Sequence, residues 1–458
     1  MSAPLPPAQQ RRDPAELEFR PDLMPVDAYI SPAYFDLEEE RLWSRTWQIV
    51  CRAEEIPNVG DFVTHEIIDE SIIVVRVAKD QVKAFYNVCQ HRGRRLKEGC
   101  GNAGPAITCR FHGWSWNIDG SLRSVTDRED WQGCPHFADA DLALKEVRVE
   151  QWGGWCWISM DPEIEPLLQY LGPIPEVFER YDLEDMRFAW YKTLVVPCNW
   201  KVMIDAFNEG YHTEATHPQV GLRSALGTVG VAHGRHSMFF FPSPERARAQ
   251  MAMAPPGLDF RPILRDALKE TRESLHALTS DYRLRAAERL MEELPATATL
   301  PEVLAKLDVL HREELEKAGA RWPARLTSDD MARAGTDWHV FPNTIILPSV
   351  DSILWYRARP NGRSVDSCLF DIWVLERFGE GKAPPLKRDF YASPGEFAGQ
   401  NAFLEQDFGN IAAVQRGMKS RGFTGARTNP VQEVPVNTFH RTLYRYLATP
   451  PGDPPPGG

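Results

Sequence analysis

The chain has 458 residues, 43% of them hydrophobic, and a formal net charge of −12, which permits two or three domains with substantial cores. The acidic balance argues against a general nucleic-acid binder, which would present a basic face, and no run of 18 uncharged apolar residues offers a membrane span. Eight cysteines in a chain of this length do not suggest a disulfide framework, and the N-terminus lacks the basic, apolar and small-residue pattern of an export leader, so the expected compartment is the cytoplasm.

Residues 1–40 are expected to form an arm, poorly ordered over Met1–Arg20, and residues 449–458 a disordered tail, since both ends are rich in proline and polar residues. From Trp47 to Met160, β-rich runs such as Ser71–Val77 and Trp155–Ile158 alternate with Gly, Asp and Asn turns, predicting a small all-β domain over 41–160. Within it stand Cys89-Gln90-His91 and Cys109-Arg110-Phe111-His112, with 17 residues between His91 and Cys109. Two thiolates for one iron and two imidazoles for the other are the ligand set of a Rieske [2Fe-2S] cluster. Gly93 and Gly113, close behind the histidines, would let the backbone approach a bulky inorganic group. Zinc accepts the same ligand types and remains an alternative, although zinc fingers usually pair the two cysteines on one knuckle and the two histidines on a helix. The nearby Arg92, Arg94, Arg95 and Lys97 form either a solvated face or a docking surface for an acidic electron donor.

A second region, 161–448, opens with Asn199–His212, whose pattern predicts one helix carrying Asp205, Glu209 and His212 near one face at spacings of four and three. Pro218 disfavours helical geometry at His217, which turns that ring toward His212. The two histidines supply two corners of a 2-His-1-carboxylate iron site, or are ordinary residues at a helix end. From Leu258 to Leu294, Phe260, Ile263, Leu264, Ala267, Leu268, Leu275 and Leu278 recur at helical spacing, predicting one or two amphipathic helices. Strand patterns return over 340–347 and 367–374, which makes the region α+β. Near the C-terminus the stripe Leu404, Ile411, Val414 and Met418 contains Asp407. A carboxylate on an apolar face needs a compensating cation: an iron shared with His212 and His217, or an arginine, Arg416 or Arg421. Asn410 is expected to hydrogen-bond near that metal.

Together these motifs resemble the Rieske non-haem iron oxygenases, specifically the large α subunit of the ring-hydroxylating dioxygenases. The likeness runs from Glu39-Glu40-Arg41-Leu42-Trp43-Ser44-Arg45-Thr46-Trp47 to Phe439-His440-Arg441. It implies an all-β Rieske domain on a helix-grip catalytic domain, with Cys89, His91, Cys109 and His112 holding the [2Fe-2S] cluster and His212, His217 and Asp407 holding mononuclear Fe(II). It also implies a threefold assembly, α3 or α3β3 with a small β subunit, in which an acidic residue bridges the cluster of one subunit to the iron of the next. Glu209 occupies that position; the aromatic-ring enzymes more often have Asp there, and Glu resembles members acting on quaternary amines. By the same likeness Asp205, Ala206 and Phe207 lie close to the iron, Asp205 in a catalytic role, with Asn343 and Ile346 across the cavity and Phe239, Phe240, Phe241 and Trp338 as aromatic walls.

Gly227-Thr228-Val229-Gly230 lacks the spacing of a dinucleotide fingerprint, so electrons are expected from a separate NAD(P)H-dependent reductase, directly or through a ferredoxin. The expected function is a terminal oxygenase that dihydroxylates an aromatic substrate. Two alternatives stand beside it: a Rieske monooxygenase or N/O-demethylase acting on a quaternary amine or methoxylated substrate, and a Rieske electron carrier without oxygenase activity.

Overall fold

A computed structural model describes residues 23–219, 227–241, 257–450 and 453; the segment Met1–Arg20 and most of the tail lie outside the described residues. The first domain is built on a seven-stranded antiparallel sheet, ordered Gln48–Arg52, Trp155–Ser159, Glu146–Trp152, Gln81–Tyr86, Glu70–Ala78, Asp61–Ile67 and Cys100–Asn102. The strand Glu70–Ala78 separates two cores, because successive side chains point to opposite faces. Ile72 and Val74 pack with Val50, Cys51 and Cys156, whereas Ile73 and Val75 pack with Cys89, Cys109, Trp114 and Trp116. A second sheet of Ala106–Thr108, Ser115–Asn117 and Leu122–Ser124 caps that latter core.

The catalytic region carries an eight-stranded sheet, ordered Val229–His233, His236–Phe240, Asp337–Val340, Thr344–Leu347, Ser352–Asn361, Ser364–Glu376, Arg187–Val196 and Arg388–Tyr391. Its register sorts the side chains into two faces. Trp338, Ile346, Trp355 and Trp373 are paired across four strands and face the first domain, where Trp155 meets Trp355 at 5.3 Å and Trp373 at 4.6 Å between ring centroids. His339, Ile345, Tyr356 and Ile372 are paired on the other face, which the helices Trp200–Phe207 and Ala402–Met418 cover.

Polar ties reinforce this joint. Arg357 donates to Asp371 at 2.9 and 2.7 Å and to the Ile49 carbonyl of the first domain, and Arg359 donates to the Glu66 carbonyl at 3.2 Å. Burial would raise the Asp371 carboxyl, but the Arg357 and Arg359 guanidiniums outweigh it and hold it at about 2. The segment before the first domain belongs to the catalytic region: Met24–Pro25 pairs with Gly425–Ala426, and buried Glu38 on the helix Pro32–Arg41 accepts from Lys201 and, at 2.9 Å, from Trp200. The amphipathic stretch forms two helices, Phe260–Leu275 and Asp281–Glu293, and a third, Leu300–Lys317, completes a small core around Leu268, Leu290 and Leu307. No helix of the described residues is long and apolar enough to cross a membrane.

Candidate metal centres

Both cysteine-histidine loops close on themselves by the same two backbone hydrogen bonds. Cys89 N–H donates to the Arg94 carbonyl at 2.8 Å and Gly93 N–H to the Cys89 carbonyl at 3.0 Å; Cys109 N–H donates to Trp114 at 2.8 Å and Gly113 N–H to Cys109 at 3.1 Å. Each loop turns through its glycine at positive φ, +73° at Gly93 and +79° at Gly113, a conformation that costs other residues energy. The result is a pair of opposed loops with both cysteines buried and both histidines toward the surface. The imidazoles of His91 and His112 lie 4.7 Å apart between centroids, and His91 stacks on Trp114.

Burial raises the Cys89 thiol, whereas the N–H groups of His91 and Arg92 favour its thiolate. Burial, His112 and Arg92 lower His91 and keep its ring neutral, as a metal ligand requires. Among the described residues, the ligand atoms that converge within 4.8 Å are those of His212, His217 and Asp407. The cysteine-histidine set is spread more widely than a single zinc ion needs, which suits two irons bridged by sulfide.

At the second centre, the single helix expected over Asn199–His212 is two pieces. The helix Trp200–Phe207 stops at Asn208, and His212 caps a short helix Thr213–Thr216. The break has two causes. Glu209 turns its carboxylate onto the Tyr211 and His212 N–H groups, giving the backbone an alternative to helical bonding. A Cβ on Gly210 would lie 2.4 Å from Thr228 Cγ2, so glycine allows the chain to pass that close. Asp205 is therefore a full turn away on a different element. His217 ends the short helix, as the following proline predicts.

The two ligand imidazoles are held from behind. His212 Nδ1 lies 2.6 Å from Glu209 Oε1, and His217 Nδ1 lies 2.7 Å from Gln406 Oε1, an oxygen that also accepts from Gln219 at 2.8 Å. Both rings thus place their proton on Nδ1 and turn Nε2 toward Asp407, whose Oδ1 is 3.6 Å from His212 Nε2 and 3.0 Å from His217 Nε2. His217 Nε2 is buried without a hydrogen-bond partner. A buried lone pair aimed at a carboxylate and a second imidazole is the donor set of a 2-His-1-carboxylate iron site, and these residues fit the metal. Burial would lower the His212 pKa, but the hydrogen bond and charge of Glu209, together with Asp407, raise it.

Other expected site residues are placed differently. Asp407 is buried with Leu404, Ile411 and Met418, but Val414 is 43% exposed and off that stripe. Arg416 and Arg421 are exposed, and the ion partners of Asp407 among the described residues are the two histidines. Asn410 is exposed and bonds back to the Gln406 carbonyl, so it does not support the metal. Asp205 accepts from Tyr29 at 2.6 Å and is 2.9 Å from His440 Nε2, a separate network beside the triad. Phe207 packs against Tyr356, Phe370 and Phe408 at 5.0, 4.9 and 6.2 Å, and Ala206 is half-buried beside it. Ile346 and Trp338 do not wall the cavity: both lie on the sheet face toward the first domain, and Ile345, one residue earlier, takes the iron-side place. Asn343 bonds the Ala358 carbonyl at 2.9 Å and leaves its Oδ1 unpartnered. Phe239 is buried, whereas Phe240 and Phe241 are half-buried.

Sequence reasoning missed Gln406, although it immediately precedes Asp407, and it missed Tyr29, Phe403 and Glu433. Phe403 stacks on His217 at 3.8 Å. Burial, with the charges of Glu209 and Asp205, pushes Glu433 up to about 7. No spacing signal marks these residues, since each comes from an element remote from the histidines.

Two family profiles match the chain: the Rieske [2Fe-2S] domain over residues 46–138 and the ring hydroxylating alpha subunit (catalytic domain) over 183–449. The carnitine monooxygenase oxygenase subunit of Escherichia coli K12 is 36% identical over 199 residues, 43% of this chain and 52% of that protein. The glycine betaine monooxygenase oxygenase subunit of Pseudomonas aeruginosa PAO1 is 30% identical over 220 residues, 47% and 49% of the two chains. The biphenyl 2,3-dioxygenase subunit alpha of Rhodococcus jostii RHA1 is 29% identical over 203 residues, 43% and 44%. The chain thus spans about half the length of the curated relatives it matches. Similar folds occur in the quaternary ammonium Rieske monooxygenase CntA in complex with L-carnitine (TM-score 0.62, 20% identity, 93% and 97% covered) and in a naphthalene 1,2-dioxygenase variant bound to phenanthrene (TM-score 0.65, 17% identity, 96% of each chain). With a Rieske domain ahead of a catalytic domain that holds a 2-His-1-carboxylate set, the chain belongs to the ring-hydroxylating alpha-subunit family of Rieske non-haem iron oxygenases.

Proposed function

We propose that the chain is the oxygenase component of a monooxygenase acting on an organic cation of the quaternary ammonium class. One substrate C–H, dioxygen, two electrons and two protons would give C–OH and water. When bound, the mononuclear iron supplies the site of dioxygen reduction and the cluster supplies electrons singly. The protein's part is to fix both imidazoles through Glu209 and Gln406, to keep His217 and Asp407 dry, and to shape the pocket beside them.

The observation that carries the substrate reading is the buried aromatic cluster of Phe207, Tyr356, Phe370 and Phe408, with Tyr356 within electrostatic reach of Asp407 and Asp337, a combination of rings and acids that suits a cation. The similarity to carnitine and glycine betaine monooxygenase subunits supports the same class. This alternative is favoured over aromatic dihydroxylation, although an aromatic wall also accommodates a ring. An electron carrier without oxygenase activity would have no use for the triad.

Glu209 joins His212 at a point next to Tyr211, which is 55% exposed, and the cluster histidines also reach the surface beside Arg92, Arg94 and Arg95. Glu209 itself is buried, but the His212 side chain beside it is 28% exposed and the cluster histidines are partly exposed, which supports a ring assembly with Glu209 as the bridge between centres and a separate reductase as donor. The test is turnover with a generic reductase, NADH and 18O2 on choline, glycine betaine, carnitine, naphthalene and biphenyl, with products analysed by mass. One labelled oxygen per product from an ammonium substrate is expected; cis-diols from the hydrocarbons and none from the ammonium compounds would restore the aromatic reading.

A further inference from the structure

Asp337 opens the strand Asp337–Val340 and is paired with Phe239 of the neighbouring strand. Two residues along, His339 pairs with Ile345, and Ile345 with Tyr356. Alternation along the strand therefore puts Asp337 on the face of Ile345 and Tyr356, under the ligand-bearing helices, and not on the face of Trp338 and Ile346. Its residue is 1% exposed. Oδ1 is buried without a hydrogen-bond partner, and among the described residues no Lys, Arg or His forms an ion pair with the carboxylate.

The charges that Asp337 does feel are unfavourable. Burial, with the repulsion of Glu209 added, pushes its carboxyl well above the usual carboxylate range. Tyr356 lies within electrostatic reach of both Asp337 and Asp407, so the group stands near the triad, on the sheet face that the helix Trp200–Phe207 covers. A buried acid with one oxygen unpartnered, and no cation beside it among the described residues, is costly. A bound cation would remove that cost and gain a desolvated ion pair in exchange.

We propose that Asp337 is the counter-charge for the cationic head of the substrate, a specificity-determining residue that selects ammonium compounds over neutral molecules of the same shape. The assignment rests on the organic-cation reading above and adds to it the residue that recognises the charge. It also distinguishes this site from an aromatic cage alone, which would bind the cation through π faces without an acid.

The test is equilibrium binding to the metal-loaded protein of choline and of its neutral carbon isostere 3,3-dimethyl-1-butanol, with tetramethylammonium as the bare cation. Cluster absorbance and iron content serve as the check on folding. In Asp337→Asn both cations should bind about thirtyfold more weakly or worse, while the isostere is held as before; Asp337→Glu, which keeps the charge, should retain the preference for choline over its isostere. Unchanged cation affinity in Asp337→Asn, or loss of cation and isostere alike in both variants, would overturn the role of Asp337 alone. A wild-type protein that holds the isostere as tightly as choline would overturn the organic-cation reading and this assignment with it.

Discussion

In the cluster loops the shape comes from the backbone, two short segments each closed by their own N–H groups and turned by a glycine, whereas around the iron ligands it comes from side chains, Glu209 from the same turn as His212 and Gln406 from a distant helix. The ligands reflect the same contrast. Cys89 and His91 are neighbours, but Asp407, and Gln406 that holds the His217 ring, lie almost two hundred positions from His217. A site shaped by its backbone depends on its ligands and its glycines. A site shaped by side-chain hydrogen bonds depends also on residues that never touch the metal.

The largest effects come from removing ligands. Cys89→Ser should abolish turnover and bleach the cluster absorbance, while His217→Ala should abolish turnover and leave that absorbance intact, with iron falling from about three to about two per chain. Bleaching in both variants would mean that the centres do not form independently. Glu209→Gln should leave both metals bound and slow coupled turnover; unchanged turnover would remove it from the electron path. Gln406→Ala should weaken mononuclear iron about 10- to 100-fold, read by competitive chelation, without altering the cluster.

Smaller effects concern the fold. Asp371 is held at about 2 against an ordinary value of 3.8, so its stabilisation is fully present above pH 4 and is lost as the pH falls toward 2. Comparison of acid unfolding curves should show a loss on the order of 2 kcal/mol over that window that Asp371→Asn lacks. Gly93→Ala places its Cβ in open space, so only the left-handed backbone should matter, at about 1 kcal/mol in urea melts. A much larger cost would mean that the loop glycines also serve the cluster by close approach.

The same contrast explains what could be read from the sequence. The cluster ligands are legible because their chemistry lies in short spacings, and Asp407 because an acid interrupts a buried helical stripe. The break at Asn208 was not legible, since Asn199–His212 has good helical spacing and the break depends on Thr228 pressing against Gly210. Ile346 was assigned to the wrong face because a strand inverts its faces at each residue, and only the observed register decides which face meets the iron helices. Gln406 and Asp337 carry no motif; one matters for what it accepts and the other for what it lacks.

The joint formed by Trp155, Trp355 and Trp373, with the Arg357 guanidinium reaching the Ile49 carbonyl, bears on how electrons are handed over. It is a weld, not a hinge. A head domain fastened by a buried aromatic layer and a guanidinium–carbonyl hydrogen bond is not free to swing in the manner of a tethered shuttle. Under the proposed function, delivery would then depend on which surfaces meet, and the rate of electron supply would respond to concentration and ionic strength and not to interdomain flexibility.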